Sequence, residues 1–145
     1  MADCTLNISD AEGFGLATLE SLSCATPIIV TMTGGLQEQV TDGEEWFGVG
    51  LEPASKAIIG SQEIPYIYED RVSEKDFVDA VEKIYNMSQE ERAELGKKGR
   101  AHVLKNYNFD HLTEKWDSFF QNIKENHGSW DTRKNYNTWE LKEVK

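Results

Sequence analysis

Two carboxylates and two glycines stand close together in Glu12-Gly13-Phe14-Gly15-Leu16-Ala17-Thr18-Leu19-Glu20. Glycine lets a backbone approach a ligand closely, and the N–H groups that open a helix, with the macrodipole behind them, favour an anion such as a phosphate. A helix starting near Leu16 carries Glu20 about 7 Å beyond Gly15, at roughly 1.5 Å of rise per residue. That arrangement suits a nucleotide sugar, with phosphate at the glycines, one carboxylate on hydroxyls of the sugar and the other on hydroxyls of the ribose. Taken singly each residue is bland, since a Gly-x-Gly turn is common in α/β proteins and a helical Glu is ordinarily solvent-exposed. Jointly, two Glu and two Gly at these offsets arise by chance at about 2 in 100,000 positions, with each type near roughly 6 to 7% of residues.

The surrounding sequence supplies elements able to position that stretch. Residues 4 to 9 mix apolar and β-branched types and read as a strand that leaves into the turn Asp10 to Gly15. Leu16, Leu19, Leu22 and Ser23-Cys24 recur at helical spacing until Pro27. Pro27 to Met32 is nearly all apolar, as a strand covered on both faces of a parallel sheet should be, and Thr33-Gly34-Gly35 closes it. Leu36 to Val40 reads as a short helix ending near Asp42-Gly43, and Phe47 to Leu51 as a third strand closed by Pro53. The alternation predicts a βαβαβ half of an open sheet.

Residues 52 to 72 lack clear periodicity and read as an inserted loop or hairpin. Ser73 opens a helix carrying Phe77, Val78, Val81, Ile84 and Tyr85, and Ser88 with Glu91 opens a second carrying Leu95, Val103 and Leu104. Asn108 or Asp110 caps a third, with Leu112, Trp116, Phe119, Phe120 and Ile123 in one stripe. Residues 127 to 145 are polar apart from Trp130, Tyr136, Trp139 and Leu141, and are expected as a tail that packs on something else or is disordered.

Among 145 residues, 26 are acidic and 15 basic, a formal net charge of -11. That balance argues against a sequence-independent grip on nucleic acid, which needs clustered Lys and Arg. The 39% hydrophobic content suffices for a core and the 28% charged content for a water-facing surface. No apolar run nears the roughly 20 residues that span a bilayer, and the first residues lack a signal-peptide pattern, so a cytoplasmic location is expected. Cys4 and Cys24 are too few for a disulfide framework and read as small core residues. His102, His111 and His127 lie apart from each other, and no Asp-x-Asp segment occurs, so neither a metal nor another cofactor is expected.

The stretch from Glu12 to Glu20 resembles the E-x7-E motif of retaining glycosyltransferases of GT-B architecture, most closely the large family numbered four. Glu20-Ser21-Leu22-Ser23-Cys24, Pro27-Ile28-Ile29-Val30, and Gly34-Gly35-Leu36 with Glu38 follow in that family's order and spacing, and Asn106 to Asp110 is similar to its C-terminal end. The likeness covers residues 3 to 126 and is weakest across 52 to 72. It implies an α/β fold: a Rossmann-like, three-layer C-terminal half-domain of about three parallel strands plus C-terminal helices, with residues 1–126 forming the donor-binding portion and 127–145 a tail.

By that likeness Glu12 is the catalytic carboxylate, contacting the donor sugar near the reacting carbon. The backbone of Gly13, Phe14, Gly15 and Leu16 meets sugar and diphosphate, Glu20 holds the ribose, and Gly34 and Gly35 form the neighbouring turn. The implied substrates are a nucleotide-sugar donor and a carbohydrate or glycan acceptor, joined with retention of configuration, without metal and without a covalent nucleophile.

The chain also departs from the family. A Gly-rich loop and a basic Arg and Lys pair that meet the diphosphate precede this segment in the family, and neither precedes Asp3 here; the acceptor domain is missing too. The expectation is therefore a fragment, inactive by itself, prone to self-association through the open strand edge at residues 4 to 9 or through its tail. A non-catalytic sugar-nucleotide-binding module, or an α/β interaction domain with Glu12 and Glu20 as surface charges, remains the alternative at this point.

Overall fold

The computed structural model describes residues 2–129, 131–134 and 142. Two compact units divide the chain, Met1–Asn106 and Tyr107–Lys145.

The first unit opens with β1 (Thr5–Asn7), α1 (Leu16–Ser23), β2 (Ile28–Thr31), α2 (Leu36–Val40) and β3 (Gly48–Leu51). These strands form a parallel sheet in the order β1-β2-β3, with Thr5 opposite Ile28 and Ile28 opposite Gly48. The predicted βαβαβ alternation is what the chain forms. Every residue of β2 is buried, as its continuous apolar run requires of a strand covered on both faces. Ile29 clusters with Leu51, Ala80 and Ile84, while Leu22, Leu36 and Val40 are fully buried along the short helices. Each such side chain contributes about 1.5 to 3 kcal/mol on burial, so this core rather than helix propensity holds α1 and α2 in place.

Residues 52 to 72 resolve into a hairpin: β4 (Ser55–Ile59) and β5 (Ile67–Arg71) pair antiparallel from Ser55 opposite Arg71 to Ile59 opposite Ile67. Its base is tied to the loop after β1. Asp70 donates its backbone N–H to the Asp10 carbonyl at 2.7 Å, and the Arg71 guanidinium bridges Asp10 at 2.8 Å and Glu69 at 2.6 Å. Those partners hold the guanidinium more firmly charged than usual. The hairpin lacks a clear period in sequence because Ile58 and Tyr68 on one face and Ile59 and Ile67 on the other are all exposed, so neither face is purely polar.

Two helices complete the unit, α3 (Glu74–Asn86) and α4 (Gln89–Asn106). Ser73 accepts from the Asp76 N–H at 3.0 Å, and Ser88 and Glu91 form the reciprocal capping box that their spacing predicts, at 2.7 and 3.1 Å. The second unit contains α5 (Phe109–His127), capped by Asn108 and not by Asp110, through the His111 N–H at 2.7 Å. Its stripe Leu112, Trp116, Phe119, Phe120 and Ile123 forms as spaced, with Trp116 stacked on Phe120, but no residue of α5 is buried. Trp130, Tyr136, Trp139 and Leu141 lie outside the described residues.

Three expectations about burial need correction. In α1 the buried residues are Thr18 and Leu22, whereas Leu16 is 60% exposed at the helix start. Cys24 is exposed rather than in the core, because α1 ends there in a Schellman-type turn: the Ala25 N–H donates to Leu22 and the Thr26 N–H to Ser21. Cys4 is half-buried and burial pushes its thiol up to about 11. On α4, Leu104 is exposed, and its place inside is taken by Gly96, Gly99 and His102 beside Val103.

Candidate functional site

The turns that follow β1 and β2 both emerge at the carboxyl end of the parallel sheet, where open α/β sheets form their crevices. They touch through glycines. Gly34 sits at φ +48°, and a Cβ there would overlap the Glu12 carbonyl oxygen. A Cβ on Gly35 would lie 2.7 Å from the Phe14 carbonyl, and the Gly35 N–H donates to Gly13 at 3.2 Å. Gly15, the residue before α1, is at φ +84°, and a Cβ there would press on the Leu36 side chain and come within 2.9 Å of the Thr18 hydroxyl. Larger residues are therefore excluded from both sides of this contact. Glu12, Gly13, Phe14, Gly15, Gly34 and Gly35, separated by about twenty residues in sequence, come together here.

Two buried polar side chains lock the first turn from beneath. Gln39 donates from Nε2 to the Phe14 carbonyl at 2.5 Å, while its Oε1 lies 2.7 Å from the Thr18 hydroxyl, which is also 2.7 Å from the Gly15 carbonyl. Thr18 and Gln39 are both 0% exposed. Sequence reasoning missed them because polar residues count toward the solvent face. A signal existed: Gln39 is three residues after Leu36 and next to Val40, on the stripe those buried residues define.

Gly13, Phe14 and Gly15 thus have their carbonyls engaged by the N–H of Gly35, the amide of Gln39 and the N–H of Leu19 respectively. In a trans peptide the N–H points opposite to the carbonyl, so the N–H groups of Phe14, Gly15 and Leu16 turn away from these partners. The first N–H groups of a helix have no acceptor within it, which makes the start of α1 an anion-favouring end. Phe14 and Leu16 flank the turn with exposed apolar side chains.

Glu12 is half-buried at the base of the turn, and Glu20 is exposed on the second turn of α1. Among the described residues neither carboxylate has a hydrogen-bond or ion-pair partner, which leaves both able to accept from ligand hydroxyls. The structure does not bring these two carboxylates into contact with each other. Among the described residues no three His, Cys, Asp or Glu side chains gather as a metal site requires, and no helix is long and apolar enough to cross a membrane.

The sequence is similar to proteins of one activity class. Over 59 residues it is 41% identical to a D-inositol 3-phosphate glycosyltransferase of Thermomonospora curvata, a match that covers 40% of this chain and 14% of that protein. It is 28% identical over 92 residues to an N-acetyl-alpha-D-glucosaminyl L-malate synthase of Bacillus anthracis, covering 63% of this chain and 24% of the other. In structure it superposes on a sucrose-phosphate synthase of Thermosynechococcus elongatus with a TM-score of 0.62 at 23% identity, over 86% of this chain and 26% of that one. This likeness shows a shared α/β, Rossmann-like fold. The chain therefore spans a quarter or less of the curated relatives it matches. The profile of the family described as glycosyl transferases group 1 matches residues 1–102, and the chain belongs to that family.

Proposed function

We propose that this chain is the donor-binding portion of a retaining, nucleotide-sugar-dependent glycosyltransferase. The observation that carries the reading is the glycine contact between the turns at Glu12–Leu16 and Gly34–Gly35, with carbonyls turned inward at the start of α1. In this reading the amides of Gly13 to Leu16 receive the diphosphate, Glu20 accepts from the ribose hydroxyls, and Glu12 faces hydroxyls of the transferred sugar. Transfer leaves negative charge on the departing diphosphate and positive charge at the anomeric carbon, and fixed amide dipoles and a nearby carboxylate oppose each. Retention rests on the likeness of the Glu12–Glu20 spacing to the retaining enzymes. The acceptor is a carbohydrate or glycan bound by a part of the enzyme other than this chain, and neither nucleic acid nor a divalent ion takes part.

In an enzyme carrying this segment with its acceptor-binding part, Glu12→Gln should lower transfer by at least ~10²-fold, because charge is lost while shape is kept. Turnover near wild type would remove Glu12 from catalysis. Glu20→Ala should raise the donor KM with a smaller effect on kcat, since a ribose contact is equal in ground and transition states. Chelation should leave transfer intact; loss restored by Mg²⁺ or Mn²⁺ would contradict the metal-free reading. The isolated chain is proposed to self-associate, since the outer strand β1 leaves Leu6 50% exposed, with Ile8 just beyond it 46% exposed. Sedimentation with and without residues 128 to 145 tests this, a strictly monomeric species in both cases being the contrary result.

A further inference from the structure

We infer that Gln39 is a positioning residue for the donor site: with Thr18 it fixes the peptide planes of the turn whose amides face the donor's phosphates. The inference rests on the donor-site reading above and adds to it a residue that touches no ligand. A buried carboxamide is costly unless both its halves are satisfied, and Gln39 satisfies both within one turn of chain. Its Nε2 donates to Phe14 at 2.5 Å, and its Oε1 meets the Thr18 hydroxyl at 2.7 Å.

The need for such a lock comes from Gly15. Glycine adopts either sign of φ, so the plane between Phe14 and Gly15 can flip at little steric cost unless one end is held. A flip would turn the Gly15 N–H inward and aim the Phe14 carbonyl, a partial negative charge, at the phosphates. Gln39 holds that carbonyl from the buried side. An apolar side chain could fill the same volume but donates nothing, and an ionised carboxylate would repel the carbonyl.

The test uses the 145-residue chain with UDP, GDP and ADP as probes, amide shifts reporting binding and melting temperature reporting folding. Gln39→Glu is nearly isosteric, and only its protonated form can donate to Phe14. Relative to wild type at the same pH, it should bind the best probe about tenfold more weakly near pH 8 and recover to within about threefold near pH 5.5, a buried carboxyl titrating above its ordinary range. Normalising at each pH cancels titration of native groups and of the phosphate. Gln39→Leu, folded and neutral, should stay about tenfold weaker at both pH values.

Wild-type affinity in Gln39→Leu, or weakening in Gln39→Glu that ignores pH and only follows its melting temperature, would overturn the inference. Failure of the wild-type chain to bind any probe counts against the donor-site reading instead. In that case amide exchange at Gly15 still decides: slower exchange in Gln39→Leu than in wild type, as the freed plane turns this N–H inward, supports the lock, and equal exchange refutes it.

Discussion

The turn from Glu12 to Gly15 has almost no regular secondary structure, and the hairpin from Ser55 to Arg71 has a complete ladder, yet the turn is the more constrained of the two. The turn is pressed against Gly34 and Gly35 and bonded from below by Gln39, all of it next to the buried strand β2. The hairpin is tied at its base through Asp10, while Ile58, Tyr66 and Tyr68 are each more than 60% exposed. A hydrogen-bonded ladder alone contributes little net stability in water, whereas close packing with no room for a methyl group permits one geometry. Precision at the site therefore comes from the core beneath it and not from regular structure around it.

The largest effect expected from breaking that contrast is at Gly34. Gly34→Ala drives a Cβ into the Glu12 carbonyl and forces a left-handed alanine, for a loss of about 2 to 5 kcal/mol in denaturant unfolding. A loss below ~1 kcal/mol would mean the two turns do not touch as described.

Next in size is the difference between the two thiols. Burial raises Cys4 from 9.0 to about 11, while Cys24 is exposed, so near pH 8 Cys24 should be alkylated about 10²-fold faster. Equal rates would contradict the partial burial of Cys4. Because the folded value is the higher one, Cys4 adds stability that is complete below 9.0 and is lost as pH rises toward about 11. Alkaline unfolding in this window should weaken in Cys4→Ser.

A smaller gain is expected at Ala25, which holds φ 57° where the Schellman turn favours glycine. Ala25→Gly should stabilise by about 0.5 to 1 kcal/mol, seen as a raised melting temperature, and a lowered one would contradict strain at this turn. The smallest effect belongs to the exposed hairpin strand β5. Tyr68→Ser should change stability by less than about 0.5 kcal/mol, and a larger loss would show that the hairpin is covered after all.

Much of this was legible in the sequence. The apolar run Ile28 to Val30, the capping residues and the glycine pairs mark the strands, helices and turns, because each encodes a local requirement that its neighbours cannot override. The turns that bring Gly34 against the Glu12 carbonyl are legible for the same reason. Hidden residues are those whose role depends on distant partners. Thr18 and Gln39 are polar yet fully buried because they satisfy one another across two helices. Leu16 and Cys24 are apolar yet exposed because the helix they bound is only eight residues long and turns just one side inward. The hairpin could not be told from a loop, since no buried face imposes a period of two on it.

The central claim, that the donor's diphosphate is received where Glu12–Leu16 meets Gly34–Gly35, is tested most directly by mapping amide shifts of the 145-residue chain as UDP, GDP or ADP is added. The account predicts that shifts centre on Gly13 to Leu16 and on Gly34 and Gly35, that Ile58 to Tyr68 stays silent, and that Glu20→Ala weakens the response about tenfold. Shifts centred on the hairpin or elsewhere, with both glycine turns unmoved at saturating nucleotide, would contradict it.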